Sequence, residues 1–247
     1  MNRYTPAEKK TMYFIGVTTG KSSIMKVFPR WMDHFGIDAQ IKGFDFIPHD
    51  KPEHYREAVS FIKSDPNSLG ALVTTHKIDC YRACRDQFEG EGEYAQLLGE
   101  ASSISKRGNE LWAHAKDPIT SGLSLEAFMP EGYWQDSQAT MLLLGAGGSS
   151  LALTLYLINK AKKSGDVPKR IVVNNRSGAR LKEMQEIHRS LSFPFSIEYN
   201  LCPTPEQNDS VVASLPEGSL VINATGLGKD GPGSPLTDAV VFPDNGF

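Results

Sequence analysis

The stretch TMLLLGAGGSSLALTLYLINKAKK, residues 140–163, constrains the fold more than any other segment of the chain. MLLL has the length and continuity of a strand buried on both faces. GAGGSS follows it as a tight turn, and LALTLYLI is an apolar stretch suited to a helix lying on a sheet. In a turn of this kind Gly145 permits the tight bend, and Gly147 lets the main chain approach a ligand. Amides at the start of the next helix then face an anion. The third position of the usual G-x-G-x-x-G/A spacing is Ser150, small but not glycine. Alone, such a turn is weak evidence. Between a buried strand and a long helix, it favours a nucleotide over a plain packing turn. Gly145, Ala146, Gly147, Gly148 and Ser149 are the candidate contacts.

The rest of the chain repeats the alternation of apolar runs and amphipathic stretches that marks βα units around a mainly parallel sheet. Strands are expected at 13–17, 41–47 and 71–74, with helices at 24–35, 52–63 and 77 to about 88. EGEGEY (89–94) reads as a charged loop, and 104–115 as two short strands around Arg107-Gly108-Asn109. FMPEGYWQDSQ (128–138) reads as a linker. After the glycine turn come strands at 170–175, 195–199 and 220–225, with helices at 179–189 and 206–214 between them. The expected fold class is α/β, with an N-terminal α/β substrate domain (1–118) and a Rossmann-type doubly wound nucleotide domain (119–247).

The end of the strand at 170–175 refines the ligand. An NAD site usually carries Asp or Glu there for the ribose 2′-hydroxyl. This chain has Asn174-Asn175-Arg176-Ser177 with Arg180 one turn on. Guanidinium groups suit a 2′-phosphate through charge-assisted bonds, so NADP is favoured over NAD and Asn175, Arg176, Ser177 and Arg180 join the candidates. The bland alternative makes both arginines solvated helix-start residues.

Composition narrows the class. With 247 residues, 40% apolar content and a net charge of −3, the chain can bury two cores and has no general attraction for nucleic acid or anionic lipid. No apolar run reaches membrane-spanning length and the N-terminus lacks a signal-type apolar core, so a cytoplasmic protein is expected. The three cysteines cannot all pair and read as reduced packing residues. Lys160, Lys162 and Lys163 read as a solvated helix end, and His114 as a partly buried structural histidine.

LVTTHK (72–77) begins like a buried strand and ends on an amine. The carboxyl ends of strands are where ligands sit in open α/β sheets. Taken with this segment, the chain resembles the shikimate dehydrogenase family. YFIGVTTGKSSIMKVFPRWM is similar to that family's opening segment with its paired serines, and LVTTHK to NVTxPxK. GEASSI (99–104) stands for GAVNT, AKD (115–117) for NTD, and GAGG, NNRS and INATGLG (222–228) follow in family order. The resemblance implies hydride transfer between NADP and a cyclic hydroxy acid, with Lys77 and Asp117 at the catalytic positions. It implies Ser22, Thr74 (or Val73) and Ser102 on the substrate side. Asn223, Thr225 and Gly226 would line the nicotinamide, or form a simple β-turn. His76 is read as a local hydrogen-bonding residue. The resemblance allows a homodimer and calls for no metal.

The departures lie on the substrate side. Ile24 stands for the second serine, Ser102 for an asparagine and Ala115 for the asparagine of NTD. Each lost charge-linked hydrogen bond costs about 1.5–3 kcal/mol, so a substrate other than shikimate is expected. The family's chains continue past the INAT strand, and the nucleotide domain is expected to be incomplete at its C-terminal end. The leading expectation is an NADP-dependent dehydrogenase for a small hydroxy acid. A non-catalytic NADP(H) sensor or regulatory protein, and an authentic shikimate or quinate dehydrogenase with substitute pocket residues, stand beside it.

Overall fold

The computed structural model describes residues 4–228 and 231–247. It divides into two compact units, Met1–Lys116 and Asp117–Phe247.

In the first unit the order is β1 (Thr11–Gly16), α1 (Ile24–Phe35), β2 (Gln40–Asp45), α2 (Pro52–Ser64), β3 (Ser68–Val73) and α3 (Lys77–Cys84). β4 (Gly90–Glu91), α4 (Glu93–Leu98), β5 (Ser103–Arg107) and β6 (Glu110–His114) follow. The sheet runs β2-β1-β3-β5-β6-β4. β1, β2 and β3 are parallel, as βα crossovers require, whereas β5 lies antiparallel to both β3 and β6. The segment read as the loop 89–94 instead holds β4 and the start of α4, because Gly90 and Glu91 pair with Trp112 and Ala113. Residues 85–87 form a short 3-10 turn after α3.

Local chemistry sets the helix ends. α1 stops at Gly36, where φ is +65°, and the Gly36 and Ile37 amides donate to the Asp33 and Met32 carbonyls. α2 starts with Pro52 at its first turn, where a missing N–H costs nothing. Gly70 marks the tightest point of β3: φ is +113°, and a Cβ there would sit 2.0 Å from the Ile104 carbonyl oxygen of β5. Beneath the sheet, Tyr13, Ile15, Tyr55, Ile62, Val73, Cys80 and Ile104 form one buried cluster.

In the second unit the order is α5 (Asp117–Glu126), α6 (Tyr133–Asp136), β7 (Met141–Leu144), α7 (Gly148–Ala161), β8 (Arg170–Asn175), α8 (Gly178–Arg189), β9 (Ser196–Leu201), α9 (Pro205–Ala213) and β10 (Leu220–Asn223). The sheet is all parallel in the order β10-β7-β8-β9. The chain turns back at β7, between β10 and β8, and the glycine turn leaves the sheet there. α5 falls on residues outside every expected helix, and α6 lies within the expected linker. α5 packs on α7 through Gly122, where a Cβ would fall 2.1 Å from the Tyr156 ring. Lys160, expected to be solvated, instead pairs with Glu126 at 2.7 Å and Asp166 at 3.6 Å and ties α7 to α5 and the 164–168 loop.

His188 is 3% exposed and bonds Thr154 Oγ1 at 2.9 Å and Tyr199 Oη at 2.6 Å. Burial lowers its pKa to about 4. The unfolded chain therefore takes a proton near pH 6.5 that the folded protein refuses until about pH 4. Stability is expected to fall by up to about 3 kcal/mol between those limits. Urea denaturation of parent and His188→Gln across that range checks this, the variant being expected to show the shallower acid slope.

Candidate functional site

The second unit holds the better-formed site, a cavity of about 530 Å³ at the carboxyl ends of β7, β8 and β10. Gly145, Ala146, Gly147, Asn175, Arg176, Ser177, Arg180 and Thr225 line it. Gly145 has φ +109°, its amide donates to the Asn174 carbonyl at 2.7 Å, and a Cβ on it would lie 2.8 Å from the Ala224 carbonyl oxygen. Here glycine is required by the protein itself.

Gly147 differs: its φ of −92° suits any residue, and a Cβ on it would meet nothing within 4 Å. Gly147 lines the cavity, and the space around it is open. Gly147 caps α7 without a side-chain acceptor, which leaves first-turn amides for an anion. The starts of α8 and α9 reach the same cavity through Ser177 and Arg180, and through Thr204 and Pro205. Three helix starts and two arginines are thus gathered around one cavity.

Asn175 links two parts of the rim. Its Oδ1 accepts from the Ala146 amide at 3.2 Å, and its Nδ2 donates to the Ser177 carbonyl at 2.9 Å. Arg176 and Arg180 are exposed at the mouth, and Arg180 pairs with Glu183 at 2.8 Å. Ser150 is buried and donates to the Gly145 carbonyl at 2.5 Å, which gives the non-glycine third motif position a role in closing the turn.

Gly148 and Ser149 lie in the first turn of α7, outside the cavity lining. Asn223 and Gly226 are also outside it. Asn223 Oδ1 accepts from the Thr225 amide and hydroxyl at 3.1 and 2.7 Å, and so shapes the loop that brings Thr225 in. Asn174, Asn208, Cys202 to Pro205 and Ser234-Pro235 also line the cavity. Sequence reasoning missed them. The polar pair Asn174-Asn175 ending an apolar strand was the available signal for the first, and nothing marked the others. The three cysteines are free and buried, and burial pushes the Cys202 thiol up.

In the first unit Thr74, Lys77 and Ser102 come together at the carboxyl end of β3. The Thr74 amide donates to Ile15, Val73 donates to the Ser102 carbonyl, and Ala101 donates to the Lys77 carbonyl. Lys77 is the first residue of α3 and is half-buried. Thr75 before it holds φ +56°, an uncommon conformation for a β-branched residue. His76, 1% exposed, shares a hydrogen bond between its Nδ1 and the Tyr55 hydroxyl at 2.9 Å, which anchors that turn to α2. The Ser102 hydroxyl accepts from the Lys116 amide at 2.8 Å, so it is engaged in holding the chain at the end of β6.

Ser22 follows the loop after β1, half-buried beside Thr19. The Thr19 amide and hydroxyl donate to Asp45 Oδ1 at 2.8 and 2.6 Å, and these bonds hold the Asp45 carboxyl below its ordinary value. Asp117 belongs to the second unit, where it opens α5 and is half-buried. His114 is half-buried beside Ser105 at 3.2 Å, with its pKa lowered first by burial and then by Lys116 and Arg107. Among the described residues no His, Cys, Asp and Glu cluster could hold a metal, and no helix is long and apolar enough to cross a membrane.

No protein-family model matches the chain. It is 29% identical over 150 residues to the shikimate dehydrogenase (NADP(+)) of Lactococcus lactis subsp. cremoris strain MG1363, a match covering 61% of this chain but only 49% of that protein. It is 27% identical over 226 residues to the enzyme of the same description from Rhodopseudomonas palustris, covering 91% of this chain and 70% of that one. The fold superimposes on the crystal structure of shikimate dehydrogenase from Aquifex aeolicus with a TM-score of 0.68 and 19% identity, covering 95% and 76% of the two chains. In sequence the chain is thus similar to shikimate dehydrogenases, and in fold to a solved member of that group.

Proposed function

We propose that the protein is an NADP-dependent oxidoreductase that interconverts a secondary alcohol and a ketone on a small hydroxy acid. The observation that carries this reading is the second-unit cavity, where open space at Gly147 and uncapped helix amides meet two arginines at the end of β8. The curated relatives named above are NADP enzymes. In this reading residues 119–247 hold the nucleotide and residues 1–118 the substrate.

NADP supplies the hydride acceptor for alcohol oxidation. The chain's own task is to hold the alcohol and remove its hydroxyl proton. Lys77 Nζ takes that proton as base, and Asp117 is the carboxylate member of the acid–base pair. In ketone reduction Lys77 returns the proton. Ser22 and Thr74 bind the acid end. Ser102 fixes the main chain by accepting the Lys116 amide, and its O–H is left to donate to the substrate. Ile24 in place of a second hydroxyl argues for a substrate whose acid group needs fewer partners than shikimate.

A panel of cyclic and linear hydroxy acids, followed by NADPH absorbance with NADP and NAD in parallel, tests the reaction. No turnover of any member together with tight NADPH binding would favour a sensor. Arg176→Ala tests the cofactor. Loss of one charge-assisted contact to a 2′-phosphate is expected to weaken NADPH about 10- to 100-fold and NADH by less than about twofold. Equal losses would remove the 2′-phosphate role.

A further inference from the structure

We infer that Asn208 is a positioning residue for the nucleotide: it fastens the segment around Pro235 as a fixed wall of the cavity. This deepens the NADP reading and rests on it.

Asn208 lies on α9 and is 8% exposed; Asn174, at the end of β8, is 1% exposed. The bonds run in one direction. Asn200 Nδ2 donates to Asn174 Oδ1 at 3.2 Å, Asn174 Nδ2 donates to Asn208 Oδ1 at 3.0 Å, and Asn208 Nδ2 donates to the Pro235 carbonyl at 2.9 Å. A carbonyl only accepts, so the amide orientations of Asn208 and then of Asn174 are forced by the last link. The same Asn174 accepts the Gly145 amide through its carbonyl. One residue on α9 thus joins the base of the glycine turn to a segment that is more than twenty residues away in sequence.

The next residue repeats the fastening. Asp209 accepts from the Thr237 amide at 3.1 Å and from its hydroxyl. Two consecutive side chains therefore hold the 234–237 segment, and Ser234 and Pro235 from it line the cavity alongside Asn174 and Asn208. Buried amide networks of this kind are costly when half satisfied, because removing Asn208 leaves Asn174 Nδ2 without an acceptor. A rigid wall lowers the ordering cost that a nucleotide must otherwise meet on binding.

The test measures NADPH affinity by fluorescence, and amide hydrogen exchange of residues 234–237 in the free protein, for the parent, Asn208→Ala and Asp209→Ala. Asn208→Ala is expected to raise the NADPH Kd about tenfold and to speed exchange, and Asp209→Ala to speed exchange with a Kd increase of about threefold. Unchanged exchange in the variants overturns the fastening. Faster exchange with a Kd within twofold of the parent overturns the role in nucleotide positioning. If Asn208→Ala does not fold, the half-buried Asp209→Ala variant decides by the same criteria. A folded parent that fails to bind NADPH overturns the cofactor reading and this inference with it, and that failure is visible in the parent titration alone.

Discussion

Replacing Lys77 with alanine is expected to lower turnover about 10²- to 10⁴-fold, the range for losing a positioned acid–base group, while NADPH affinity stays within about twofold of the parent. The expectation rests on how the residue is held. Its helix starts immediately after Thr75, whose φ of +56° costs free energy that the surroundings must offset, and after His76, which Tyr55 grips from α2. A solvated surface lysine needs no such support. The measurement is steady-state kinetics with the best substrate of the hydroxy-acid panel, alongside NADPH titration of both proteins. A variant that keeps full rate would end the role given to Lys77, and one that loses NADPH binding equally would point to a structural one.

The second large effect is expected at Gly147. Asp is among the preferred residues at a helix N-cap, and the backbone there accepts it with free space for its Cβ. Gly147→Asp is therefore expected to leave thermal stability unchanged or slightly higher. It also places a carboxylate where the reading puts the pyrophosphate, so NADPH affinity should fall about 100-fold or more. Opposite signs in stability and binding are hard to obtain from a packing glycine. Differential scanning calorimetry and fluorescence titration on one preparation read both, and unchanged NADPH affinity would remove the pyrophosphate from this turn.

Much of this fold could be read from the chain because its signals are local. MLLL followed by GAGGSS fixed a strand, turn and helix within a short window, and Gly36 and Pro52 marked helix ends by backbone chemistry alone. The misses are elements whose evidence is distant. β4 is two residues long and exists because β6 offers a partner edge, and α5 is defined by its packing on α7 through Gly122. The candidate site divides the same way. Arg176 and Gly147 announced themselves by position after a strand. Asn208 and Pro235 did not, since what makes them part of the cavity is a hydrogen bond between residues 27 apart. Lys160 looked like a solvated cation because Glu126 and Asp166 are not its helical neighbours.

The pairing of β10 with β7 has a consequence for the order in which the second unit can be made. Leu220 to Asn223 lie beside Met141 to Leu144, and the Thr140 amide reaches Ser219 Oγ across 79 residues. During synthesis the glycine turn therefore emerges long before the strand that flanks it and before Ala224, the residue it presses against. Until then β7 has one open edge, and the amides at the start of α7 have only part of their surroundings. A nucleotide that needs this turn with its neighbours in place can thus stabilise the unit only once β10 has been made, favouring retention of the fold rather than speeding its nucleation.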